Sequence, residues 1–155
     1  MIKPKIDLII AGLIECAGSR NLPDVLSELN IVIKRVSANR PILHGENARY
    51  VNINGKGAIY LSTSCPEEEE RFVLAHEIGH AVLHDEEIAH YGLQKRGMKE
   101  EEEADYFAVK LLGLKAEPLE DYTIKDYASL FGVKEEAVEY IVGDEYIVND
   151  KACNA

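Results

Sequence analysis

Two histidines four residues apart bracket a glutamate in His76-Glu77-Ile78-Gly79-His80, and this segment restricts the chain more than any other feature. On a helix, residues four apart lie about 40° from eclipsed, so both imidazoles project from one face and can share a metal ion. Glu77 lies about 60° beyond His80, close enough to reach a metal-bound water without being a ligand. His-Glu-x-x-His therefore combines two zinc ligands with a general base. A chain of 155 residues with 5 histidines and 20 glutamates would contain it by accident only about 0.02 times.

The surroundings agree with a helix at this place. Ser64-Cys65-Pro66-Glu67 reads as its start, with Ser64 capping and Glu67 three positions on. Glu67 to Glu70 crowd the first turn, where the helix dipole favours negative charge. Phe72, Ala75, Gly79, Val82 and Leu83 recur at helical spacing and face a core, and the helix runs to about His84. Upstream, Ile6 to Cys16 and Pro23 to Leu29 read as helices and Ile31 to Val36 as a strand. Arg49 to Ile53 and Ala58 to Leu61 flank Asn54-Gly55-Lys56-Gly57, a hairpin signal because Asn and Gly tolerate positive φ. Together they predict a small antiparallel sheet of about three strands. Downstream, a helix runs from Lys99 through Leu112 and ends at Gly113 and Pro118. Thr123 to Val142 reads as two short helices broken at Gly132. The order of helices, sheet and helices is that of an α+β fold.

Composition narrows the function classes. At 46% apolar residues the chain can bury a core in one domain. Its formal charge of −11 argues against coating by nucleic acid or anionic lipid, both of which demand basic surface. The longest apolar run, Leu8 to Ile14, falls short of the about 20 residues that span a membrane, and no cleavage site follows it. Cys16, Cys65 and Cys153 are too sparse for a disulfide framework and read as small hydrophobes in a reducing cytoplasm.

A catalytic zinc takes three protein ligands and keeps one position open. His84, one turn further along the helix, projects too far, and the extended pattern with a third histidine fails because position 83 is Leu and position 86 is Glu. Glu100-Glu101-Glu102-Glu103 is the better source. At about 100° per residue, Glu101 lies at the edge of the stripe made by Ala104, Ala108, Leu111 and Leu112, with Glu100 nearby, whereas Glu102 and Glu103 point away. Asp105 follows Glu101 by one turn and can accept the second ring N–H of a ligating histidine. Glu101 is the expected third ligand and Glu100 the fallback.

The run from Phe72 to His84, with Glu101-Glu-Glu-Ala-Asp-Tyr-Phe-Ala108 and Leu111-Leu112, resembles the ImmA/IrrE family of gluzincin-like peptidases. The likeness is close over about residues 45–112 and includes the hairpin. It departs at Leu112-Gly113-Leu114, where relatives often carry Leu-Leu-Met-Pro. The resemblance implies a zincin-like fold, and the expected organisation of the chain is a zinc metallopeptidase domain over residues 1–115 with an acidic helical segment, 116–155, packed on it. It also implies a zinc endopeptidase that cleaves a helix-turn-helix repressor of a phage, mobile element or stress regulon. His76, His80 and Glu101 would then hold one zinc ion and Glu77 would be the catalytic base. An extended substrate is expected to pair with the strand Ala58, Ile59, Tyr60 and Leu61. His90 and Tyr91 read as ordinary surface residues.

Two other classes stand beside the peptidase. One is an antirepressor that binds its partner around the same zinc site without cutting; the intact Glu77 counts against it, since a structural site needs no base. The other is a DNA-binding regulator, because Thr123 to Val142 has the pattern of a helix-turn-helix. From Glu117 to Lys151, however, 3 basic and 10 acidic residues leave a net −7, which disfavours phosphate contact. Docking of the substrate or plain packing is the expected role of this tail.

Overall fold

A computed structural model of the chain describes residues 1–84 and 96–143. His90, Tyr91 and Cys153 lie outside the described residues. Helix α1 (Lys3–Ala17) turns Ile6 and Ile10 inward and ends at Gly18, and the short α2 (Leu22–Glu28) buries Leu22, Val25 and Leu26. Strand β1 (Ile31–Val36) follows, then a connection containing a 3-10 turn at Pro41–Leu43, and then β2 (Ala48–Ile53) and β3 (Lys56–Ser62). Asn54 and Gly55 both take positive φ, 53° and 80°, so the hairpin forms where its turn residues place it.

The α+β architecture stands, but the sheet is mixed rather than antiparallel. Its order is β1-β3-β2: β2 pairs antiparallel with β3, and β1 runs parallel to β3 with Ile33 beside Ile59. The connection between β1 and β2 is long enough to carry the chain across the sheet, so β1 lies against the far edge of the hairpin. The central strand is therefore β3. Ala58, Ile59, Tyr60 and Leu61 have a partner strand on each side, and their backbone cannot take up a substrate as expected. Of the two outer strands, β2 packs on the helix that carries the histidines.

That helix is α3 (Glu67–Leu83). Its cap is Pro66, in an extended conformation, and Ser64 does not cap it. The proline pushes Cys65 out of the helical region, so the helix starts two residues later than a Ser64 cap requires. Residues from Leu74 to Ala81 are buried on all faces, because α3 lies between the sheet and α4 (Met98–Leu112). Gly79 is where the two helices meet: a Cβ there would stand 3.1 Å from Phe107 Cδ1 and 3.2 Å from the Ala104 Cα. The glycine inside the histidine motif thus lets α4 approach closely enough to bring Glu101 beside His80.

Residues after α4 complete the same core. Tyr127 on α5 (Ile124–Phe131) is fully buried and its hydroxyl accepts from Leu119 N–H at 2.7 Å, pinning the connection. A capping box at Thr123 and Asp126 starts α5, and Gly132 ends it. Beyond Gly132 the chain forms a 3-10 turn, Glu135–Ala137, and the single-turn α6 (Glu139–Val142), with Ala137 and Val138 buried. The second half of the helix-turn-helix pattern is thus a packing element on α4, without the multi-turn helix that would enter a DNA groove. Among the described residues no helix is long and apolar enough to cross a membrane.

Candidate metal centre

The i, i+4 spacing on α3 aims both imidazoles at α4. His76 Nε2 and His80 Nε2 lie 3.1 Å apart, and Glu101 reaches them with Oε2 at 3.1 Å and Oε1 at 2.9 Å. One ligand atom from each of the three residues falls within 4.8 Å of the others. Two ligands held about 2.1 Å from a tetrahedral ion would be about 3.4 Å apart, so the histidine pair has the spacing of a metal site. Two imidazole nitrogens and a carboxylate oxygen are also a donor set suited to zinc. Glu100, the fallback, is exposed and is not part of the group.

Both histidines are held from behind. His76 Nδ1 lies 2.7 Å from Asp105 Oδ1, in the place where such a carboxylate orients a ligand ring. His80 Nδ1 lies 3.1 Å from His84 Nδ1, and His84 Nε2 lies 3.2 Å from Glu103 Oε1. His84 is no member of the converging trio, but it is adjacent to the site. The expectation that Glu103 points away is corrected: the close approach of α3 to α4 turns its side chain onto His84, where it is 14% exposed. That contact crosses between helices and has no local sequence signal.

The charges follow from this geometry. Burial works against a protonated His76, but hydrogen bonds to Asp105 and Glu101 outweigh it and raise its pKa to about 9. Burial lowers that of His80, despite its bond to Glu101. Burial would raise the pKa of Glu101, yet its bonds to His76 and His80 hold it well below the usual carboxylate range. The metal-free site at neutral pH thus pairs a cationic His76, protonated on both ring nitrogens, with a neutral His80 and an ionised Glu101.

Glu77 projects to the side of this group and is almost fully buried. Tyr50 N–H on β2 donates to its Oε2 at 2.6 Å, and Arg96 donates to its Oε1 at 3.0 Å. Sequence reasoning missed Arg96, which lies outside any motif. It also missed Lys134, whose ammonium lies 3.1 Å from Asp105 Oδ1. A cleft of about 360 Å³ opens onto the group, lined by Ala48, Phe72, His76, Glu77, Glu101 and Lys134 among others.

Comparison with known proteins agrees with this arrangement. No curated protein and no solved structure matches the chain. The family profile described as the IrrE N-terminal-like domain matches residues 27–142, from the end of α2 through α6, and includes every residue of the site. Three quarters of the sequence are covered, and the chain is a member of this family, peptidase family M78.

Proposed function

We propose that this chain is a zinc-dependent endopeptidase of the cytoplasm that cleaves one specific protein, a helix-turn-helix transcriptional repressor of a phage, mobile element or stress regulon. The observation that carries the chemistry is the convergence of His76, His80 and Glu101 beside a buried Glu77 at the floor of an open cleft. His76, His80 and Glu101 would hold the ion. When bound, zinc lowers the pKa of a water molecule to about 7 and polarises the scissile carbonyl. Glu77 takes the proton from the attacking water and passes it to the departing amine. Asp105 keeps the His76 ring in register throughout, and the His84–Glu103 pair does the same for His80. An extended substrate would approach beside β2, the outer strand packed on α3, in place of the central strand, but not through Tyr50, whose N–H and C=O are held by Glu77 and Arg96.

Intact-mass analysis tests the reading. The zinc-loaded protein is mixed with helix-turn-helix repressors of its own genome, one at a time, with Glu77→Gln in parallel. A single defined cut that vanishes in the variant is expected. A stable uncut complex with both proteins would replace the peptidase by an antirepressor.

A further inference from the structure

The C-terminal segment reaches the metal centre. Gly132, with φ 67°, is pressed against the first turn of α3, where a Cβ would land on the Glu68 carbonyl oxygen. Val133 is buried directly after it, so the turn has little freedom and Lys134 leaves it from a defined place. The Lys134 ammonium then lies 3.1 Å from Asp105 Oδ1 and 3.7 Å from Glu101 Oε2. Asp105 Oδ1 is the same atom that meets His76 Nδ1 at 2.7 Å. One cation therefore touches a candidate ligand and the carboxylate that orients a second.

We propose that Lys134 is a positioning residue that sets how tightly this site holds its metal, serving as the standing counter-charge of Glu101 and Asp105. The inference rests on the metal reading above and goes beyond it, since Lys134 lies outside the motif and belongs to the segment after Gly132. Two effects have the same sign. The ammonium repels an incoming dication a few ångströms away, and it draws on the lone pairs with which Asp105 holds His76, which weakens that imidazole as a donor. Both loosen the metal, while the ion pairs keep the two carboxylates placed when the site is empty. Lys134 is 39% exposed, so solvent and salt screen the repulsion. At that exposure the effect on metal affinity is about tenfold.

The test is a zinc titration in competition with a chromophoric chelator, on the full chain, for the wild type, Lys134→Met and Lys134→Arg. Lys134→Met is expected to hold zinc about tenfold more tightly and Lys134→Arg to match the wild type. The gap is expected to shrink in about 1 M salt, where the Debye length falls to about 3 Å. A Lys134→Met protein that binds zinc as the wild type does, or more weakly, overturns the inference and leaves the metal site intact. A wild type that takes up no zinc overturns both.

Discussion

Arg96 and Glu77 form a two-pronged ion pair beside the metal centre, Nη1 to Oε1 and Nη2 to Oε2, each at 3.0 Å. The two side chains are only 14% and 3% exposed, so the pair is largely withdrawn from water. Arg96 Nη2 also lies 3.4 Å from the Tyr50 carbonyl, and Tyr50 N–H donates to Glu77. The candidate general base is thus moored to β2 through both its own carboxylate and its partner.

Removing one member of a buried pair leaves an uncompensated charge, which costs more than the pair contributes. Arg96→Met is expected to lower unfolding free energy by about 3 kcal/mol. The same change made in a Glu77→Gln background is expected to cost much less, because no carboxylate is then stranded. Urea unfolding of the four proteins measures the difference. Equal costs in both backgrounds would mean that the pair is not coupled.

Zinc affinity reports on the acidic helix residue by residue. Asp105→Asn keeps the shape but weakens the acceptor behind His76, and a 10- to 100-fold loss of zinc affinity, roughly, is expected. Glu101→Gln removes a candidate ligand and loses more. Glu100→Gln, at an exposed position outside the group, is expected to bind as the wild type. Competition titration distinguishes all three, and a loss confined to Glu100→Gln would reassign the third ligand.

The protonation of His76 makes the site sensitive to pH. Its pKa in the folded, metal-free protein is about 9, above its ordinary value. Proton binding therefore stabilises the metal-free fold fully below about pH 6.5, the unfolded value, and this contribution fades as pH rises through about 9. Zinc has the opposite dependence, because His76 must lose its proton to bind. The His76 contribution to apparent zinc affinity is expected to climb about tenfold per pH unit and level off near pH 9. Calorimetry at pH 7 in buffers of different ionisation enthalpy should detect about one proton released from His76 per zinc, and about half of one more from a bound water with a pKa of about 7. A flat affinity between pH 7 and 9 would contradict the His76–Asp105–Glu101 electrostatics.

Glycines with positive φ differ by what surrounds them. Gly132→Ala meets both the left-handed backbone and the Glu68 carbonyl, and a loss of about 3 kcal/mol is expected. Gly18→Ala carries a similar φ of 85° in open space and is expected to cost only about 1 kcal/mol. Thermal melts of the two variants give the comparison. Similar shifts would show that the Gly132 turn relaxes away from α3, which would also free Lys134.

Much of the site was legible because it is written within single helices. His76 and His80 share a face by spacing alone, and so do Glu101 and Asp105, which is why the four stand together once two helices are laid side by side. The Asn54-Gly55 turn is equally local, since its backbone preference belongs to the two residues themselves. Ser64 misled the reading of the helix start because Pro66 constrains its neighbour more strongly than a cap attracts.

By itself, then, the sequence determined the helices before Gly132, the hairpin and a histidine–carboxylate set at one-turn spacing, all of them features governed by interactions a few residues long. Only the tertiary structure decided that β1 runs parallel to β3, that β2 is the strand next to the site, and that Arg96, His84, Glu103 and Lys134 surround it. Those facts depend on how far apart packed elements stand, as at Gly79 between α3 and α4 and at Gly132 against Glu68. Such distances are set by side-chain volume and backbone approach across elements remote in the chain, which no local period encodes.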